Sequence, residues 1–317
     1  SVAASVAIGG VLIPMEEKEG YDKKFAAAVN IASAPTGLII PPSGILIIYP
    51  VLAGCSVVGM IMSGYIPGLM WALACMVVAY VIAKKNHYPT AGKVPASVFF
   101  KYFVDAIPSL LLIVIIVGGV MSGIFTATES AAVAVAYTLF LSIVVYRSIK
   151  IKDLPKILLD ACETTAVIMF LIAGSNVMSF VMSFTGLPSA IGNALISVSS
   201  NKYVILLIIN LVLLVVGCFM DITPAVLIFT PIFLPVVQSF GMDPIHFGIM
   251  MVMNLGIGNI TPPVGSALFS GCSVADMDME DMIKPILPFY AAIFVALMLV
   301  AYVPWFSMAL PTLFGAV

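Results

Sequence analysis

Apolar residues in this chain fall into long runs separated by short polar connectors. A run of about 20 residues is enough for a helix to cross a hydrocarbon core of about 30 Å. On that measure, spans are predicted at about 64–83, 106–125, 129–146, 158–182, 203–219, 223–240 and 285–304. Two more apolar stretches, 25–54 and 246–273, are interrupted halfway by Gly/Pro clusters and read as re-entrant helical hairpins. Residues 150–165 alternate polar and apolar at helical spacing, the pattern of an amphipathic helix lying along the interface. The chain opens without Met, inside an apolar, small-residue stretch at 1–14. The pattern defines an all-α polytopic membrane protein.

Composition agrees. Hydrophobic residues make up 62% and charged residues 9%, with a mean hydropathy of +1.20, against roughly 45–50% and 25% in soluble domains. A net charge of −2 gives no reason to expect nucleic acid as a partner. Basic residues cluster at Lys84, Lys85, Lys93 and Lys101, and again at Arg147, Lys150, Lys152 and Lys156. Both clusters are expected in the cytoplasm, and the two spans between them make that consistent. The five cysteines lack metal-ligand spacing, and the two histidines, His87 and His246, sit in polar turns beside prolines. A metal centre or catalytic triad is therefore poorly supplied, and no enzyme is expected.

The chain also repeats itself. A shift of 221 positions lays residues 1–44 on 222–265 without a gap. Pro14 then falls on Pro235, Gly20 on Gly241, Asp22 on Asp243, Gly37 on Gly258, Pro41-Pro42 on Pro262-Pro263 and Gly44 on Gly265. Chance apolar matching does not readily supply prolines, glycines and an aspartate in one register. The expected organisation is the rest of a first repeat at 1–83, a cytoplasmic connector at 84–105, a second repeat at 106–304 and a tail at 305–317. A first repeat equal to the second needs roughly 110–120 further residues ahead of Ser1. Lys18, Lys23 and Lys24 precede the first hairpin and nothing basic precedes the second, which favours entry from opposite sides, as in inverted repeats. Six spans between the hairpins require one of them to be horizontal or re-entrant for inversion to hold.

The hairpin turns carry the chemistry. Proline removes an amide donor and disfavours helix before it, so each helix ends at its Pro-Pro pair. Backbone opened at membrane depth is tolerated only where it is buried in protein or lines a polar cavity. Unwound carbonyls suit Na⁺, and half-helix N-termini suit a carboxylate. Ser33, Thr36, Ser43, Asn254, Asn259, Thr261 and Ser266 add neutral oxygens and amides there. Asp221, set between apolar runs just before Thr223-Pro224, is costly in a membrane and reads as an ion ligand; the alternative is an N-cap. Thr128 and Glu129 read as a helix cap, the Met-rich run 242–253 as hairpin packing, and Trp71, Trp305, Tyr290 and Tyr302 as interfacial belt residues.

These motifs resemble the large membrane (M, DctM-like) subunit of tripartite ATP-independent periplasmic (TRAP) transporters. The resemblance spans essentially the whole chain. It is carried by AIGGVLIP (7–14), GYDxxFAAAV (20–29), IIPPS (39–43), GIFTATESAAV (123–133), HFGIMMVMNL (246–255) and TPPVG (261–265). It implies Na⁺-coupled import of an organic acid (a C4-dicarboxylate, sialic acid or sugar acid) across the bacterial inner membrane by an elevator-type transporter of the ion-transporter class. A periplasmic substrate-binding protein (P) would deliver the solute, and a small membrane subunit (Q, DctQ-like) would brace the large one. Sodium would be held by Ser5, Ser33, Thr36, Gly37, Asp221, Thr223, Gly258 and Thr261. Substrate would lie among Pro41, Pro42, Ser43, Asn254, Asn259, Pro262 and Pro263. The resemblance likewise implies a longer N-terminal part. The alternative is a stand-alone sodium/dicarboxylate symporter without a binding protein; the absence of GxxxxGK[ST] in the chain fits ion coupling in either case.

Overall fold

A backbone without water around it must satisfy its amides and carbonyls internally, and helices do so within one segment. The computed structural model describes residues 2–89, 95–121, 124–199 and 201–316, and no strand occurs among them. Two compact units result, one formed by 1–89 with 175–317 and the other by 90–174.

The larger unit begins with α1 (Val2–Lys18), followed by the first hairpin: α2 (Lys23–Ser33), the short α3 (Thr36–Ile39) and α4 (Ile45–Ala53). α5 (Val57–Ser63) leads into α6 (Tyr65–Lys85). The smaller unit holds α7 (Ala96–Met121), α8 (Ala127–Phe140) and the first part of α9 (Leu154–Thr185). Then come α10 (Leu187–Val198), α11 (Lys202–Phe219), α12 (Ile222–Ser239), the second hairpin α13 (Pro244–Asn259) and α14 (Ser266–Val274), α15 (Met279–Tyr302) and α16 (Trp305–Leu313). Six described segments are long and apolar enough to cross a membrane, which makes this a multi-pass membrane protein.

Several boundaries differ from those expected. α7 starts at Ala96, so helix occupies residues 96–105, where a connector and then a span from 106 were expected. The interfacial helix expected at 150–165 is instead a short 3₁₀ turn at Ile151–Asp153 and the start of one continuous 32-residue α9. Its polar residues, including Asp160 and Glu163, lie on an exposed helix that continues as a span, and a bend would have left backbone groups unpaired. α8 is capped by Thr126 rather than Thr128. The Thr126 hydroxyl accepts from the Glu129 amide, and the Glu129 carboxylate accepts from the Thr126 amide at 2.8 Å. α1 and α10 were not anticipated as helices. In the smaller unit, α7 and α8 are tied by Tyr137 donating to Pro108 O at 2.8 Å and Ser130 to Ile116 O at 3.0 Å.

The two hairpins open on the same local device. Gly20 and Gly241 both take positive φ, and one turn later Asp22 and Asp243 cap α2 and α13 by accepting from the Lys24 and Ile245 amides. The Pro41-Pro42 and Pro262-Pro263 bonds are both cis. The bases of the hairpins sit at opposite ends of α15. Lys24 at the first pairs with Asp281 at the start of α15, at 2.6 Å. His246 at the second reaches Ala301 O near its end, at 3.2 Å. Between them lie most of the 24 residues of α15, about 30 Å of helix. The first base also stacks on Tyr88, beyond the Lys84–Lys85 end of α6, through Tyr21 and Phe25.

Buried residues concentrate on α13, where every side chain from Ile245 to Asn259 is buried. Its closest neighbour is α11. A Cβ added to Gly258 would stand 2.4 Å from the Gly217 carbonyl carbon, so the two backbones touch with no room for a methyl. Gly37, its counterpart in the first hairpin, has nothing within 4 Å of such a Cβ. Gly258→Ala is therefore expected to destabilise the protein by about 1–3 kcal/mol, read as a lowered melting temperature in detergent. Gly37→Ala should leave that temperature unchanged or slightly higher.

Candidate functional site

Residues at the tip of the second hairpin are held from three directions. The Val264 and Gly265 amides donate to Cys218 O at the end of α11, at 3.2 and 3.4 Å. Tyr290, near the middle of α15, donates its hydroxyl to Ile260 O. Thr261 turns its hydroxyl back onto Ile257 O at 2.6 Å, closing the last turn of α13. Gly265 is left-handed at φ +37°, and a Cβ there would stand 2.7 Å from Thr261 O, a conformation and a space that suit glycine.

Asp221 faces this tip. It stands at the N-cap position of α12, but its side chain makes no capping bond. Its Oδ1 instead lies 3.2 Å from Ser266 Oγ, and that hydroxyl is 2.5 Å from Asn259 Oδ1. A serine hydroxyl carries one proton. Two acceptor oxygens thus share a single proton, and the Asp221 carboxylate keeps lone pairs that a small hard cation would engage. Thr223 stands half-buried on the same first turn of α12, two residues from Asp221.

The first hairpin is broken twice, at Ala34-Pro35 and again over 40–44. Ala32 O near the first break accepts from Trp71 Nε1 at 2.9 Å and Cys75 Sγ at 3.5 Å, both on α6. Ser33 donates to Asn30 O at 3.1 Å. Thr36 Oγ1 and Ser43 Oγ are buried without a hydrogen-bond partner. An unpaired buried hydroxyl costs about 1–3 kcal/mol, so these two oxygens are also poised for a ligand. Pro42 and Gly44 are exposed beside buried Pro41 and Ser43.

The hairpins meet. A Cβ on Gly256, one turn before the end of α13, would lie 3.5 Å from Pro35 Cβ and 3.5 Å from the Trp71 ring. Of the residues expected to bind sodium or substrate, Asp221, Thr223, Gly258, Asn259, Thr261, Pro262 and Pro263 gather at the second tip, and Ser33, Thr36, Gly37, Pro41, Pro42 and Ser43 at the first. Two are placed elsewhere. Ser5 is fully buried within α1, its hydroxyl on Val2 O and its carbonyl accepting from Asn30 Nδ2 at 2.9 Å. Asn254 is fully buried more than a turn below the tip, where its amide donates to Asn210 O and Oδ1 at 2.8 Å. Asn254 thereby fastens α13 to α11, while its Oδ1 is buried without a hydrogen-bond partner.

Trp71 and Tyr290, read from sequence as belt residues, are hairpin braces instead. Trp71 is fully buried and Tyr290 half-buried, each giving its polar proton to a carbonyl beside a helix break. No sequence signal separated them from belt aromatics, because both stand in apolar runs. Ser266 was named among the tip oxygens but not as a site residue, although its place just after Gly265 set it at the start of the returning helix.

Helices of membrane-spanning length around two broken, touching hairpins define a polytopic membrane protein of transporter type. Residues 1–306 match the family model for the DctM component of the tripartite ATP-independent periplasmic transporters, and the chain belongs to that family. It is 50% identical over 316 residues to the Salmonella typhimurium protein YgiK, covering 99% of this chain and 72% of that protein. It is 36% identical over 315 residues to the C4-dicarboxylate TRAP transporter large permease protein DctM of Pseudomonas aeruginosa (99% and 74%). To the sialic acid TRAP transporter large permease protein SiaM of Vibrio cholerae it is 37% identical over 314 residues, again 99% and 74%.

Removing either brace should cost stability without changing the fold. Tyr290→Phe removes the donor to the Ile260 carbonyl and is expected to cost about 1–3 kcal/mol, whereas Trp71→Phe leaves Ala32 O the Cys75 thiol and is expected to cost about 1 kcal/mol. Chemical unfolding in mixed micelles measures this. Trp305→Phe, at an exposed position on α16, should cost much less.

Proposed function

We propose that this chain is the hairpin-bearing part of a large permease subunit that imports an organic acid into bacteria with Na⁺ as the coupling ion. The observation that carries this reading is the convergence of Asp221, Ser266 and Asn259 on one proton at a broken helix tip, beside the unpaired Thr36 and Ser43 hydroxyls of the other hairpin. One Na⁺ would sit on the Asp221 side with Thr223, Gly258 and Thr261. A second would sit on the first tip with Ser33, Thr36 and Gly37. Substrate carboxylate would bind between the tips, near Pro41, Pro42, Ser43, Asn259, Pro262 and Pro263. Ser5 and Asn254 act in this reading as positioning residues, through Asn30 and Asn210.

Two related repeats, inverted in the membrane, account for the shared 221-residue register and for hairpin bases at opposite ends of α15. Such a pair suits movement of the hairpin body as an elevator, which carries the site across the membrane with little change inside it. The relatives named for C4-dicarboxylate and sialic acid support an organic-acid substrate. A relative named as a fused DctMQ isethionate permease supports a small Q-type partner in the same membrane. A periplasmic binding protein as donor, and the bacterial inner membrane as location, follow from the same family membership.

Uptake of a labelled organic acid is to be measured in proteoliposomes holding the complete permease subunit and its small partner. An inward Na⁺ gradient and the periplasmic receptor are each supplied or withheld. The proposal expects uptake only with both, and Asp221→Asn should reduce it at least about tenfold, the loss of one charged ligand. Uptake with Na⁺ alone establishes the stand-alone symporter instead. Undiminished Na⁺-dependent uptake by Asp221→Asn removes that residue from the site.

A further inference from the structure

A second pocket lies away from the hairpin tips, at the base of the second hairpin. It encloses about 250 Å³ between the start of α11, the turn before α13 and the end of α15. That is at the small end of ligand-pocket sizes, about 300–1,000 Å³, and suits a compact polar group. α11 and α15 both have the length and hydropathy of membrane spans, so the pocket is level with the membrane interface, at the end of α15 remote from Lys24 and Asp281.

Its lining has two charges of opposite sign. Lys202, the first residue of α11, forms no ion pair among the described residues; its ammonium lies 5.2 Å from the centre of the Tyr203 ring. Asp243 caps α13 with one oxygen, on the Ile245 amide at 2.7 Å, and a carboxylate retains acceptor capacity beyond one such bond. His246 is also in the wall, but both ring nitrogens are engaged, by Ser307 and by Ala301 O. Tyr203 and Tyr302 meet edge to face at 5.8 Å, as interfacial aromatics do. Leu206 and Phe240 continue the wall in apolar side chains.

We infer that this pocket binds the headgroup of a zwitterionic phospholipid bearing a primary ammonium, of phosphoethanolamine type. The phosphate is held by the Lys202 ammonium, and the lipid's ammonium by the Asp243 carboxylate. The acyl chains run out past Leu206 and Phe240 into the bilayer. A trimethylated choline headgroup has no N–H to donate to Asp243, and a glycerol headgroup has no charge for it. The bound lipid would tie the base of the second hairpin to the ends of α11 and α15. This inference is independent of the transported solute and of Na⁺.

Native mass spectrometry of the delipidated, full-length protein tests it, with phosphatidylethanolamine, phosphatidylcholine and phosphatidylglycerol of the same acyl chains added in turn. The ethanolamine lipid should be retained about threefold to tenfold better than the choline lipid, the worth of one ordinary net hydrogen bond. Asparagine caps helices as well as aspartate, so Asp243→Asn should keep α13 and its melting temperature while erasing that preference. Lys202→Gln, on an exposed first turn, should weaken retention of all three lipids. Equal retention of ethanolamine and choline lipids by the wild type overturns the inference, as does a preference that survives Asp243→Asn. Displacement of the lipid by an equal concentration of free glycerophosphoethanolamine assigns the pocket to a soluble zwitterion and overturns the lipid assignment.

Discussion

Backbone groups released at a helix break inside a membrane have no water to turn to, and each unsatisfied one costs several kcal/mol. In the second hairpin the freed amides of Val264 and Gly265 find Cys218 O, and the Ile260 carbonyl finds the Tyr290 hydroxyl. In the first, the Ala32 carbonyl finds Trp71 and Cys75. These pairings decide which helices must stand beside each break: α11 and α15 at the second, α6 at the first. The Gly217–Gly258 contact follows from the same demand, because Cys218 O reaches the tip only if α11 and α13 approach to backbone distance.

With the breaks held in this way, their remaining polar groups are free for other work. Asp221 leaves its own helix uncapped and is shared with Ser266, while Thr36 and Ser43 keep buried hydroxyls unpaired. A protein under selection for stability alone would have paired or removed them, since each costs about as much as a lost hydrogen bond. They are grouped at two touching breaks, whose hairpins start from opposite ends of α15, which is where the proposed ligands would complete the structure.

Much of this was legible in the sequence, for identifiable reasons. Pro-Pro pairs and the glycines around them announce broken helices irrespective of context, and Asp221 stands out because a carboxylate between apolar runs is expensive. Side-chain direction was not legible. Asn254 and Asn259 look alike in sequence, yet one faces α11 in the core and the other the tip, because five residues on a helix turn through about 1.4 revolutions and so point to different sides. Trp71 and Tyr290 were misread for a similar reason: an aromatic in an apolar run has the same signature at the interface and at the core. The polar pattern at 150–165 reads as a separate interfacial helix, whereas helix continuity governs there. Thr126, two residues from the cap expected, shows how a local motif can be right in kind and displaced in register.

The central claim is that the two hairpin tips bind sodium together, one ion at each. Single cysteines placed at Ser43 and Ser266 in a background free of the five native cysteines test it most directly, by the rate of modification with a small thiol reagent against Na⁺ concentration. Ions at both tips predict that Na⁺ slows modification at both positions, and that K⁺ at equal concentration does not. Sodium-independent rates at both positions, or protection at one tip only, would contradict it.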